Sequence, residues 1–176
     1  MTGCERRETV VAPRSPPPRS APSLDLERFS ARPIGSIVTA HPWITHVNVS
    51  DLDQDGLNDV IACDGKEHRI LWLRQTSPGT FTETLLADNV PGPVHTDVVD
   101  IDGDGDLDIL VASMGQVFPT NDKIGSVVLL VNRGDQTFEK RILLEKVARV
   151  TDVRAADLNG DGRLDLAVAQ FGYDDG

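Results

Sequence analysis

The amino-acid sequence predicts an all-β protein, a β-propeller of four-stranded antiparallel blades with about three blades present. A nine-residue acidic pattern occurs three times in the 176 residues, with starts 49 and 57 residues apart. Such intervals are typical of propeller blades and solenoid coils. Short runs rich in β-branched residues surround each copy of the pattern. Apart from the short run 24–29, no segment has a helical period.

Each repeat is predicted to form the strands of one blade. An alternating strand precedes the acidic pattern and an apolar strand follows it, and two further strands complete the first two repeats. The polar insertion 116–123 lies within the longer second interval. The predicted strands are 46–49, 60–63, 69–73 and 81–86 in the first repeat, 95–99, 109–112, 126–131 and 138–144 in the second, and 151–155 and 166–169 in the third.

The negative charge of the chain is concentrated in these acidic loops. The sequence has 17 Lys and Arg against 28 Asp and Glu, a net charge of −11, and 12 of its 21 Asp residues lie in the loops. Removing those 12 negative charges leaves a balance of +1, and no basic stripe is present to neutralise phosphates. Nucleic acid is therefore excluded as a partner, and no apolar run approaches the roughly 18 residues of a transmembrane segment.

The first 33 residues are predicted to form a disordered tether, and residues 34–176 hold the propeller segment. The tether contains six prolines and few apolar residues, so it cannot bury enough surface to offset its conformational entropy. Small residues before Cys4 are similar to the end of a bacterial lipoprotein signal, although a charged region and an apolar region are missing. A free cysteine and a lipid anchor at Cys4 both stay open.

Each acidic loop carries oxygen-bearing side chains at positions 1, 3, 5 and 9 and glycine at position 6. A hard divalent cation such as Ca²⁺ takes six to eight oxygen ligands, and carboxylates this close together repel one another without a counter-ion. Glycine permits the positive φ at which the chain reverses. The side chains are Asp51, Asp53, Asp55 and Asp59 in the first loop, Asp100, Asp102, Asp104 and Asp108 in the second, and Asp157, Asn159, Asp161 and Asp165 in the third.

A helical calcium hand and ordinary hairpin turns are the alternative interpretations of the loops. A helical calcium hand needs Glu at position 12, but Ala62, Val111 and Val168 stand there in apolar strands, so that reading fails. Ordinary Asp-Gly hairpin turns would explain one such loop. Three loops with the same spacing in the same strand context instead predict about three calcium sites.

The loops, each followed by an apolar strand, resemble the FG-GAP/VCBS-type repeats of integrin α-subunit-like β-propellers, and the run 169–172 is similar to their Phe-Gly element. The resemblance covers about residues 34–176 and implies a calcium-binding, non-catalytic extracellular module for adhesion or recognition. It also implies that the backbone carbonyl at position 7 is a ligand, which adds Leu57, Asp106 and Arg163. We expect the third site to be the weakest, because Asn159 removes a charge and Arg163 places a cation beside the loop.

The blade count indicates a fragment. A closed propeller has four to eight blades, whereas the sequence holds about three and stops where the next strand is expected. We therefore expect part of a longer propeller, whose open sheet edges invite pairing or aggregation, or a ring of several copies.

Catalytic motifs are missing, so the chain is predicted not to be an enzyme. His46, His95 and Asp152 each stand five residues before a loop, and with Asp97 and Arg154 they are candidates to line a polar central channel. The alternative is that they are solvated or hydrogen-bonded residues of a channel wall.

The ligand is not identified by the sequence, and either a protein or a glycan fits. Trp43 and Trp72 are candidates for a sugar-stacking surface, with core packing as the alternative, and Cys63 is expected to be a small buried hydrophobe. The second functional hypothesis is therefore an accessory, carbohydrate-binding part of a larger secreted enzyme. Loops of this kind suit millimolar calcium, which predicts an extracytoplasmic location: secreted, periplasmic or at the cell surface.

Overall fold

A computed structural model describes residues 30–35 and 42–172, and the structural statements below concern those residues. All strands lie in the unit that begins at Pro33. The predictions for Cys4, for the helical run 24–29 and for most of the tether fall outside the described residues.

Ten β-strands form three antiparallel sheets, and the described residues contain no helix. Blade 1 has the strand order β1-β2-β3-β4, blade 2 has the order β5-β6-β7-β8, and blade 3 consists of β9 and β10. The strands are β1 Ile44–Ser50, β2 Asp59–Asp64, β3 Arg69–Ser77, β4 Thr80–Ala87, β5 Pro93–Val99, β6 Asp108–Ser113, β7 Gly125–Asn132, β8 Phe138–Val147, β9 Arg149–Ala156 and β10 Asp165–Phe171.

The predicted all-β architecture of four-stranded antiparallel blades is confirmed. The sheets do not close into a ring within the described residues. Most strands extend beyond their predicted bounds because backbone pairing continues into polar residues that the hydrophobic pattern does not mark. In β3, for example, pairing with β4 continues past Leu73 to Ser77, at the solvent-exposed end of the strand.

Blade 2 lies between the other two blades, and its second strand shows why these strands are apolar throughout. Successive side chains of a strand point to opposite faces of the sheet. Ile109 and Val111 accordingly pack in one core with blade 1, whereas Leu110 and Ala112 pack in a second core with blade 3. All four side chains are fully buried.

The cysteine and one tryptophan of the first repeat lie in the core shared by blades 1 and 2. Cys63 is fully buried, and burial raises the pKa of its thiol to about 12, so the prediction of a small buried hydrophobe is confirmed. Trp72 is 3% exposed in the same core, which excludes it from a sugar-stacking surface.

The first strands of the three blades lie side by side, which places the three acidic loops at the same end of the sheets. The Asn48 side chain of β1 donates a hydrogen bond of 3.1 Å to the Thr96 carbonyl of β5. The Ala155 amide of β9 donates one of 3.0 Å to Asp97 Oδ2 of β5. Each acidic loop connects the first strand of its blade to the second.

We predict that replacing Leu110 with alanine lowers the free energy of unfolding by about 2–5 kcal/mol, because the cavity forms in a core closed by two blades. The matched control is Leu85→Ala in β4, where the side chain is 53% exposed, and its cost should stay within about 0.5 kcal/mol. Denaturant unfolding of both variants measures the difference. An equal loss of free energy of unfolding in the two variants would contradict the burial of Leu110 between blades 2 and 3.

Candidate metal centre

The three acidic loops share one pattern of backbone hydrogen bonds. The carboxylate at position 1 accepts the amide of the position-6 glycine, at 2.9, 3.0 and 2.8 Å in the three loops. The carboxylate at position 5 accepts the amide of position 7, at 2.9 Å in every loop. The donors at position 7 are Leu57, Asp106 and Arg163. That the backbone carbonyls of these three residues are cation ligands remains a prediction.

Glycine at position 6 has φ of 90°, 96° and 83° in the three loops, as a reversal of the chain requires. Position 4 also has a positive φ, occupied by Gln54 at 58° and by Gly103 and Gly160 at 79°. This second left-handed position was not predicted from the sequence. Glycine at position 4 in two of the three loops could have indicated it, because glycine adopts a positive φ readily.

The aspartate at position 9 ties its loop to the sheet. Asp59 accepts the Leu52 amide at 3.1 Å and, from the third strand of the blade, the Gln75 amide at 2.8 Å. Asp108 accepts the equivalent amides of Ile101 and Asn132 at 3.0 and 2.8 Å. Both carboxylates are buried, with residue exposures of 0% and 1%. They therefore hold the fold together besides being candidate ligands.

Carboxylate clusters occur in the first two loops. Positions 1, 3 and 9 each bring one oxygen within 4.8 Å of the others, and the clusters are Asp51, Asp53 and Asp59 and, in the second loop, Asp100, Asp102 and Asp108. Burial raises the pKa of Asp108; the amides of Ile101 and Asn132 oppose that rise, and the charges of Asp102 and Asp104 add to it. Hard oxygen ligands at this density are the donor set that Ca²⁺ prefers.

Asp53 is a buried carboxylate of the first loop that lies against an arginine. Its side chain is fully buried, and the Asp55 backbone amide and the Arg74 guanidinium are its polar neighbours. Arg74 Nε lies 2.5 Å from Asp53 Oδ2, an ion pair between β3 and the first loop. Burial raises the pKa of Asp53, and the Arg74 charge opposes that rise. A cation in the first loop therefore fits the residues that surround it.

The third loop is more exposed and differs in composition. Asn159 replaces the carboxylate at position 3, and its side-chain oxygen accepts the Asp161 amide at 2.8 Å. Asp161 also accepts Arg163 Nη2 at 2.9 Å, on a guanidinium that is 85% exposed. Asp165 keeps the position-9 contact, accepting the Leu158 amide at 3.2 Å. Backbone amides, that of Gly162 first, lower the pKa of Asp157.

A hydrogen bond connects the first loop with the second. The Gln54 side chain donates to the Gly105 carbonyl at 2.7 Å, so position 4 of one loop contacts position 6 of the next. The two candidate sites are therefore in physical contact through the protein.

A polar cluster forms where the first strands of the three blades meet. The rings of His46 and His95 lie 4.4 Å apart, and His95 Nε2 lies 3.1 Å from Asp152 Oδ1. Arg154 contacts both Asp152 and Asp97 at 3.3 Å. The structure thus brings together the five residues that were candidates for a channel lining, one set from each repeat.

Burial lowers the pKa of both histidines. For His46, a backbone hydrogen bond with Thr96 opposes that effect, Arg154 adds to it and Asp152 opposes it. For His95, Asp152 and Asp97 oppose it, and His46 and Arg154 add to it.

Two exposed aromatic side chains are in contact, and of these only Trp43 was a candidate from the sequence. Trp43 is 45% exposed and meets Phe118 edge-on, with ring centroids 6.2 Å apart. Phe118 is 65% exposed and comes from the polar insertion 116–123. Nothing in the sequence pattern of that insertion indicated its proximity to Trp43, because the two residues lie in different blades.

We predict that the unfolding temperature falls when the pH is lowered from 7.5 to 5.5 in the presence of chelator. The unfolded histidines gain a proton below about pH 6.5, whereas the folded ones gain it at lower pH, so protons favour the unfolded state in this window. Differential scanning fluorimetry should show a smaller fall for the variant that combines His46→Gln and His95→Gln. An equal fall of the unfolding temperature in that variant would show that these two histidines do not cause the pH dependence.

Comparison with known proteins identifies the repeat. Residues 51–111 and 116–168 match a family model described as FG-GAP-like repeat, and the two matches together contain all three acidic loops. Searches of curated proteins and of solved structures found no match. In the described part of the chain, no helical segment has the length and apolar character to cross a membrane. The matches cover more than half of the sequence, and the chain therefore belongs to the FG-GAP-like repeat family, whose propeller-like repeats are typical of extracellular proteins.

Proposed function

We propose that this chain is a calcium-binding, non-catalytic propeller module that acts outside the cytoplasm in adhesion or in recognition of a protein ligand. The observation that carries the calcium proposal is the pair of carboxylate clusters in the first two loops, in which the side chain of Asp53 and the residues Asp59 and Asp108 are buried. Burying carboxylates in this way is costly unless a cation compensates them.

Positions 1, 3 and 9 would hold the ion in the first two loops, and the position-5 and position-7 oxygens would complete the ligand set. Calcium, when bound, supplies the positive charge that the clustered carboxylates need. Asp59 and Asp108 already connect the loops to the third strands of their blades, so an ion held by them would bind to the folded blade. Calcium binding should therefore add to the free energy of unfolding.

The family and the site support a non-catalytic module at an extracytoplasmic location. FG-GAP repeat domains are generally non-catalytic, and this family is typical of extracellular proteins. Exposed acidic loops of this kind suit the millimolar calcium outside cells better than the low level within them.

Chelation of calcium is expected to destabilise the protein. At a calcium concentration 100 times the dissociation constant, one site contributes about 2.7 kcal/mol, so EGTA should lower the unfolding temperature by about 5 °C or more. Magnesium should restore less of the shift, since it demands a stricter octahedral geometry. Scanning fluorimetry across a calcium titration measures the effect.

The matched variants for that titration are Asp53→Asn with Asp102→Asn, which change position 3 of both clusters, and Asp88→Asn on an exposed position outside the loops. The first pair should lose most of the calcium-dependent shift, and Asp88→Asn should keep it. An unfolding temperature that does not change with calcium in the unmodified chain contradicts the proposal.

A second candidate function is that of an accessory, carbohydrate-binding part of a larger secreted enzyme. The observation that favours it is the exposed contact between Trp43 and Phe118. Partly exposed aromatic rings offer a flat apolar surface on which a sugar ring can stack. Trp72 takes no part in this version, since it is buried.

A glycan array distinguishes the two functions. If the second is right, the chain binds specific glycans, and Trp43→Ala or Phe118→Ala weakens the best-bound glycan by about tenfold or more. Leu143→Ala, on an exposed residue of β8, is the control and should leave binding unchanged. An array without any bound glycan, or a bound glycan insensitive to both aromatic variants, contradicts the second function.

A further inference from the structure

We propose that Arg74 acts as a tethered cation in the first acidic loop, so that it competes with calcium there and makes the first site weaker than the second. This inference rests on the proposed calcium function. It names a residue outside the nine-residue loop that sets the relative affinity of the two sites.

The contacts of Arg74 place its positive charge against the first loop. Its Nε lies 2.5 Å from Asp53 Oδ2, and its Nη2 lies 3.9 Å from Asp55 Oδ2. Asp53 belongs to the carboxylate cluster, and its side chain is fully buried. Arg74 therefore places a positive charge in contact with this cluster. A calcium ion bound by Asp53 would stand close to the guanidinium and be repelled by it.

The guanidinium also contacts an aromatic ring. Its central carbon lies 5.6 Å from the ring centroid of Trp72, within the range of a cation–π contact, and the Arg74 side chain is 35% exposed. The partly exposed side chain borders solvent, so movement of the guanidinium away from Asp53 would not bury its charge.

The second blade provides an internal comparison. The Gln75 amide bonds Asp59 as the Asn132 amide bonds Asp108, so the residue before each donor is equivalent. That residue is Arg74 in blade 1 and Val131 in blade 2. Val131 is apolar and 3% exposed, and it packs in the core with blade 3. Repulsion from an arginine at this position is therefore absent from the second cluster.

The experiment compares two chains that both carry Asp102→Asn to weaken the second site: one is otherwise unmodified, and the other also carries Arg74→Gln. The control is Arg141→Gln, which removes an exposed arginine of β8 that pairs with Glu139 at 2.8 Å and belongs to a different blade from the first loop. Isothermal titration with calcium gives the affinity, and scanning fluorimetry with EGTA or with excess calcium gives the stability of each form.

We expect Arg74→Gln to raise the calcium affinity of the first site by roughly fivefold or more, and Arg141→Gln to leave it unchanged. Arg74→Gln should also lower the unfolding temperature in EGTA more than in calcium, because the arginine compensates the carboxylates only in the ion-free form. A purely structural role for Arg74 would lower both temperatures equally.

The outcomes separate this inference from the proposed function. If the unmodified chain binds calcium but Arg74→Gln leaves the affinity unchanged or lowers it, the competition is wrong and the calcium function stands. If neither the unmodified chain nor Arg74→Gln binds calcium, both the inference and the proposed function are wrong. Binding by Arg74→Gln alone would support the competition in its strongest form.

Discussion

The structure of each complete repeat depends on one buried carboxylate at the start of its second strand. Asp59 and Asp108 each accept one amide from their own loop and one from the third strand, so a single side chain joins three segments. The same burial makes their charge costly, and the neighbouring loop carboxylates increase that cost. The constraint on the fold and the demand for a cation therefore arise from the same group, which is why the proposed calcium is a structural ion.

The differences between the three loops follow from what surrounds them. The first two loops lie against the third strand of their own blade, which supplies the second amide to position 9. The third loop follows the same backbone pattern, but blade 3 consists of β9 and β10 in the described residues, and Asp165 keeps one of the two contacts. Local sequence thus builds the turn, whereas burial of its carboxylates depends on the strands beside it. Arg74 acts at this level too, because it reaches the first loop from β3.

The fold and the composition of the candidate site were largely predictable, since both have a short-range signal. Alternation within 46–49 and the apolar run 60–63 mark adjacent strands, and equal spacing of aspartates marks the loop between them. What the pattern could not indicate were contacts between distant segments. Arg74 lies 21 residues after Asp53 and Phe118 lies 75 residues after Trp43, so nothing local relates either pair.

Local sequence patterns were enough to predict the strands, the repeat and the carboxylates of each loop, because strand periodicity and turn chemistry act over a few residues. Which of those carboxylates are buried, and which cation lies beside them, depends on the folded arrangement of the blades. That arrangement also decides that Trp72 belongs to the core while Trp43 stays partly exposed. The physical reason is that burial and charge compensation depend on how whole blades pack, and packing between blades joins residues that are far apart in the chain.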